Sequence, residues 1–408
     1  MKHAGNFVRA ARACRAGAVN QAVVANVGAL LFVPLTRLYG FTYLQLGLLT
    51  AVCFCSQLLA DAALIFLIDR LSRRALSVAA SAASCIGLLF FGCVPYVFPE
   101  GGVYGGILGA VAVFACAGGM LEVVLSNIAD GLPPSAGGMY LQRTVYAWAQ
   151  AGLAAYLLVF LQLFGAQYWN VALFPLAAIP ALLPAFLVRA RLPAREKTAP
   201  VRSAFRSVYL FAVLAVLFGY GAETAMNQWI SSFASEVPGF DAGGMLGCVL
   251  FCLCLGAGGA AFVALQRSRG GMPPLAPAVA GLAGAAAYLG AAFFASPALA
   301  LASAVLCGFF VGVLSPGAMS SASRALPHTG GWMLASLALA QDVGAAALPA
   351  LMGAASDTAG MRTGFFLSAA APFLAAAFLF GMRRGKDVLP LRKGGCARRI
   401  FRARSKKM

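Results

Sequence analysis

Charge is what this chain has least of. Only 10% of its 408 residues are charged, and just 12 are acidic. A soluble domain carries about 25% charged residues, so a water-soluble globular protein is excluded. Histidine occurs twice, as His3 and His328, and both lie outside the apolar stretches. A membrane-embedded enzyme would need a nucleophile with a base, or a metal with His ligands. Such groups are poorly supplied, so no enzyme, no metal site and no cofactor is expected. A cleavable leader is not evident, because the first apolar run follows a long basic segment and is long enough to span.

What the chain does have is apolar surface: 61% of residues are hydrophobic and the mean hydropathy is +0.85. Each membrane span needs roughly 20 apolar residues. The chain accommodates about twelve, at about 16–38, 44–68, 76–95, 104–131, 138–164 and 171–189, then 208–233, 243–265, 275–294, 297–323, 332–355 and 363–382. The predicted fold is an all-α integral membrane protein of twelve transmembrane helices in two pseudo-symmetric six-helix bundles. The first bundle is residues 1–188 and the second 208–382. The hydrophilic stretch RARLPAREKTAPVRSAFR divides them as a linker over 189–207, and a basic tail occupies 383–408.

The net charge of +18 would suit a nucleic-acid binder, but its distribution does not. About 27 of the 30 Lys and Arg fall in segments on one side. They lie in the N-terminal arm, the second-to-third loop, the middle linker, the later loops on that side and the tail. Only Arg37 and Arg362 fall opposite, with Arg143 inside a span. This is the positive-inside bias, which puts both termini in the cytoplasm; no nucleic-acid partner is expected. The tail is read as fixing topology and attracting anionic lipid headgroups. The eleven cysteines are mostly inside spans. Cys53/Cys55 and Cys252/Cys254 are neighbours two apart, which point to different helix faces, and they read as packing residues rather than metal ligands or disulfides.

Against this scarcity, an acid inside a span stands out. A carboxylate at mid-bilayer costs at least ~2.5–3.5 kcal/mol, so it faces protein or a wet cavity. Asp61, Glu122, Asp130, Glu223 and Asp342 all fall within spans. Glu122 lies in GGMLEVVLSNIADGLPP, Gly118 to Pro134, and Glu223 in GAETAMNQWI, Gly221 to Ile230. Both are candidates for carrying a proton, with structural pairing to Arg143 as the plainer alternative. Asp130 suits pairing with an Arg near the span end, and Asp61 shares a face with Gln57. Asp342 adjoins Gln341, and for it the structural and transport readings stand level. Arg143, Tyr146 and Gln150 form one helical stripe. Glu223 and Asn227 share a face, whereas Trp229 points elsewhere; both sugar stacking and packing are open to it. Trp169, at an expected outer interface, reads as a membrane-belt residue.

The chain also repeats itself. Setting Gly118 on Gly312 brings Leu132-Pro133 onto Leu326-Pro327, Gly137 onto Gly331 and Met139 onto Met333. A weaker match sets Ala18-Val19-Asn20-Gln21 against Ala225-Met226-Asn227-Gln228. Parallel six-span halves with a site between them near the midplane are the plan of many secondary transporters.

This layout resembles the major facilitator superfamily. DRLSRR at Asp69 to Arg74 is similar to that superfamily's loop between its second and third helices, with Ile65 and Ser72 where glycines are usual. The resemblance implies a gating role on the cytoplasmic side for Asp69, Arg70 and Arg74. The Glu122 and Glu223 segments are similar to the fourth and seventh helices of the fucose and sugar permease-like branch, and resemble a set of uncharacterised bacterial transporters. The first span departs from that branch, having no Asp; Asn26 or Gln21 would serve instead. The reading is a secondary active transporter, proton-coupled through Glu122 and Glu223, in a bacterial cytoplasmic membrane and monomeric. A small sugar-like solute would be held by Asn26, Glu122, Arg143, Gln150, Glu223, Asn227 and Gln341. Proton-driven export of amphiphilic drug-like compounds stays open, as does a non-transporting sensor or scaffold on the same fold.

Overall fold

The computed structural model describes residues 7–67, 71–130, 132, 138–193, 207–236, 244–268, 275–325 and 330–387. Among them, 12 helical stretches are long and apolar enough to cross a membrane, and no strand occurs. The first span is α1 (Val8–Leu30) followed by α2 (Phe32–Tyr39). The ladder breaks at Leu31, where its N–H reaches Ala29 and Gly28 carbonyls. Pro34 has no N–H to return to Leu30, so a helix running straight through would lose that bond. Gly40, at φ 68, ends α2 in a left-handed cap, a conformation an L side chain resists.

The first half continues with α3 (Tyr43–Leu67), α4 (Arg73–Val97), α5 (Val103–Asp130), α6 (Gly138–Phe164) and α7 (Leu173–Leu187). The second half holds α8 (Ser207–Ser235), α9 (Gly244–Ser268), α10 (Ala276–Phe293), α11 (Pro297–Ala325), α12 (Gly330–Ala359), α13 (Met361–Ser368) and α14 (Ala370–Asp387), the last two forming one span. Start of the first span and end of the last lie on one side, called here the near side; the opposite is the far side.

The repeat is visible in the packing. In the first half α1 lies on α5, α6 and α7, and α5 on α3 and α4; in the second, α8 lies on α11, α12 and α14, and α11 on α9 and α10. Across the halves α3 runs against α12 and α6 against α9, which are equivalent pairs. At residue level the sequence register is off. A methyl on Gly119 would meet the Gln57 backbone of α3 at 2.9 Å, whereas one on Gly118 would meet Val24 of α1. A methyl on Gly312 would meet the Leu255 carbonyl of α9. By packing, Gly312 therefore corresponds to Gly119, not Gly118.

Large apolar side chains such as Leu59, Ile86, Leu163, Leu182 and Leu351 face outward, each more than 60% exposed. That surface suits lipid and would be an aggregation liability in water. Inside, small residues let helices approach closely. Trp169 corrects the expectation of a belt residue. It is fully buried, against Phe91 at 5.6 Å and edge-on to Tyr39 at 6.3 Å. Cys53 and Cys252 face inward while Cys55 is exposed and Cys254 half-buried, as their spacing requires.

Candidate functional site

Where the halves meet at α1 and α8, amides make the contact. Asn227 Nδ2 donates to Asn26 Oδ1 at 2.6 Å, and Asn26 Nδ2 donates to its own helix at Ala22 O, 2.8 Å. Next to them Gln228 Nε2 donates to Ala25 O at 3.0 Å, and Thr50 Oγ1 donates to Gln228 Oε1 at 3.4 Å. The sequence match had set Asn227 on Asn20, but Asn20 lies lower on α1 beside Ser84. By contact, Asn227 and Asn26 are the equivalent pair about the axis between the halves.

On the far side, further contacts join the helices above this pair. Tyr43, at the start of α3, donates its hydroxyl to Glu236 after α8 and its N–H to Asp357 of α12, 3.1 Å. Trp229 fills the space below, with Phe32 at 5.1 Å and Tyr43 at 5.8 Å. Its Nε1 donates to Pro349 O at 2.9 Å, and it is fully buried. Packing is its role here.

Toward the near side, acids and hydroxyls replace amides. Glu223, one turn before Asn227, accepts from Ser315 Oγ of α11 at 2.6 Å. Tyr146 of α6 lies beside Asn26 of α1 and Tyr220 of α8. Asp61 of α3 and Asp342 of α12 face one another where these helices pack across the halves. Glu122 is exposed and lies in the neighbourhood of Asp61, Asp342, Tyr146 and Tyr220. Those four side chains come from α3, α12, α6 and α8. Helices of both halves thus surround Glu122.

Several buried polar atoms on α1, α3, α6 and α12 have no partner among the described residues: Gln21 Oε1, Gln150 Oε1, Asp61 Oδ1, Asp342 Oδ2 and, toward α4, Asn20 Nδ2. Most are acceptors, so the surface calls for hydrogen-bond donors from water or a polar solute. Gln150 is 3% exposed, one turn beyond Tyr146 on α6, and Gln341 is half-buried beside Asp342 on α12.

Of the residues singled out from sequence, Asn26, Asn227, Glu122, Glu223, Gln150 and Gln341 all lie on helices that meet between the halves. The Arg143, Asn127 and Asp130 side chains, together with Asp69, Arg70, His328 and the basic tail beyond 387, lie outside the described residues. Arg74 Nη2 donates to Ala190 O and Arg73 Nη2 to Pro193 O, both at 2.6 Å. These bonds tie the second-to-third turn to the end of α7, within one half. Sequence reasoning passed over Tyr220 and Ser315, which are common residue types in apolar helices, and did not join Asp61 to Asp342. Only the docking of the two halves brings that pair together.

No family profile matches the chain, and no curated protein matches it. Solved structures do. The fucose:proton symporter FucP of E. coli matches with 18% identity over 92% of this chain and 97% of that one, TM-score 0.61. A D-xylose-proton symporter matches with 12% identity, 92% and 97% coverage, TM-score 0.77. A bacterial homologue of the human lysosomal transporter Spinster, inward-facing and occupied, matches with 16% identity, 92% and 96% coverage, TM-score 0.66.

Proposed function

We propose, from the major facilitator fold that this chain carries, that it is a secondary active transporter working by alternating access. The observation that carries this reading is Glu122: an exposed acid among helices of both halves, beneath a far side where side-chain contacts join them. Proton binding and release at Glu122, with Glu223 behind it, would couple transport to the proton gradient. The donor-hungry surface of Gln21, Gln150, Asp61 and Asp342 suits a small hydroxyl-rich solute. Such a solute is sugar-like by resemblance to fucose and xylose symporters. Arg143 and Gln341 would add contacts from α6 and α12.

Opening to the far side then requires the Asn26–Asn227 bond and the Tyr43–Glu236 contact to break, exposing both amides to the solute. With the positive-inside bias, the near side is the cytoplasm and the membrane is a bacterial cytoplasmic membrane. The protein works as a monomer, its Asp69, Arg70 and Arg74 turn gating the near side. Purified protein in liposomes, given a panel of radiolabelled sugars with and without an inward proton gradient, tests this. Gradient-driven uptake of a sugar supports it; transport only of lipophilic compounds outward would replace it.

A further inference from the structure

We propose a binding site for a divalent thiophilic cation such as zinc, made by Cys248 and Cys252 of α9 and the side-chain carbonyl of Asn227 on α8. Cys252 pairs not with Cys254, two positions on, but with Cys248, one helical turn earlier. The two sulfurs lie 4.0 Å apart, and both face one atom: Asn227 Oδ1 is 3.8 Å from Cys248 Sγ and 3.5 Å from Cys252 Sγ. A circle through three points so spaced has a radius of about 2.2 Å, and zinc bonds sulfur at about 2.3 Å and oxygen at about 2.0–2.2 Å. An ion at that centre would therefore reach all three atoms with almost no rearrangement. Among the described residues no cluster of three or more His, Cys, Asp or Glu is suited to a metal, so the amide oxygen is what completes the set.

Burial selects the charge of the ion. Cys248, Cys252 and Asn227 are all buried, and all lie within spans. Loading releases both thiol protons to water and leaves two thiolates. A divalent ion then makes the three-ligand site neutral, whereas a monovalent one would leave a negative charge inside a span, which is costly. Zinc accepts both thiolate and oxygen ligands; calcium and magnesium take oxygen alone. Glu223, one turn before Asn227, accepts from Ser315, and any charge it carries favours a cation further. Coordination also fixes the amide. With Asn227 Oδ1 turned to α9, Nδ2 faces Asn26, the bond already made at 2.6 Å. The ion thus staples α8 to α9 and holds Asn227 in the orientation that joins the halves. That last consequence rests on the carrier reading above; the binding site does not.

The test uses purified full-length protein with Cd2+ as the probe, because its bonds to thiolate absorb in the ultraviolet. Difference spectra titrate that band, a weakly buffered sample reports proton release, and alkylation mapped by mass spectrometry shows which cysteines the ion covers. One equivalent of Cd2+ should produce the band, release about two protons and shield Cys248 and Cys252 together. Zn2+ should compete for the site and Mg2+ should not. Cys248→Ser and Cys252→Ser should each lose that equivalent, and Asn227→Ala should weaken it by about ten-fold or more. Cys248→Ala repeats the measurement if a Ser variant fails to fold. An unchanged band in either cysteine variant, or native affinity in Asn227→Ala, overturns the proposal. Solute exchange should be lost with Cd2+ bound to the native chain and kept in Cys252→Ser; exchange undiminished with the band fully formed overturns the staple. Failure of every sugar to be transported would remove the carrier reading and leave the binding result standing.

Discussion

Asn227 reaches across the molecule to Asn26 at 2.6 Å, joining α8 to α1 through a side-chain hydrogen bond between the two halves. A buried neutral hydrogen bond contributes about 0.5–1.5 kcal/mol net. Asn227→Ala should therefore shift the balance toward the far-side-open state by about two-fold to thirteen-fold. Labelling of far-side cysteines introduced next to Tyr43 would read the shift; unchanged labelling would mean the bond does not hold that side closed.

Glu122→Gln keeps the size and removes the charge. Because Glu122 is exposed, melting temperature should hold, with stability altered by no more than about 0.5 kcal/mol. Uphill uptake should fall by about ten-fold or more while solute exchange at equal pH persists, the mark of lost coupling rather than lost binding. Parallel loss of both would assign the residue to the solute instead.

Gly119→Val should destabilise by about 1–3 kcal/mol, because its new carbon would lie 2.9 Å from Gln57 Cα with backbone behind it. Gly152→Ala serves as the contrast: nothing lies within 4 Å of the added methyl. Removing backbone freedom from a helical glycine should stabilise by about 0.5–1 kcal/mol. Thermal melts of the two variants in one detergent decide whether close approach or helix propensity governs these sites.

Trp229→Ala removes a ring buried between Phe32 and Tyr43 and should cost about 3–5 kcal/mol. Trp229→Phe keeps most of the packing and loses the bond to Pro349 O, a cost of about 1 kcal/mol. Transport abolished in Trp229→Phe with its melting temperature intact would instead place the indole against the solute.

Hydropathy made the twelve spans legible, because burying a backbone in lipid leaves helices as the economical choice. Span ends agreed with the helices to within a few residues, except that α1 begins at Val8 rather than near residue 16. Ala10, Ala11 and Ala13 pack there into the protein, so the basic residues Arg9, Arg12 and Arg15 ride on a helix that hydropathy alone ends early. Within the site, same-helix spacings such as Glu223 with Asn227 could be read directly. Pairings that need both halves docked, Asp61 with Asp342 and Asn26 with Asn227, could not, because the repeat register slipped where alanine and glycine make neighbouring alignments equivalent. Trp169 was misjudged for a similar reason. Position along a span predicts depth in the bilayer, whereas the direction of the side chain depends on which neighbour packs beside it.

On the far side the backbones of α3 and α12 come close together at Gly47 and Gly353. Methyls added at Gly47 and Gly353 would lie 3.3 Å from Ala350 Cα and from Gly47 Cα respectively. Interlocked side chains would have to unmesh before one bundle could tilt on the other. Two smooth rods in contact can instead roll, so this point behaves as a fulcrum: small changes in angle there become wide displacements at the opposite ends of the same two helices.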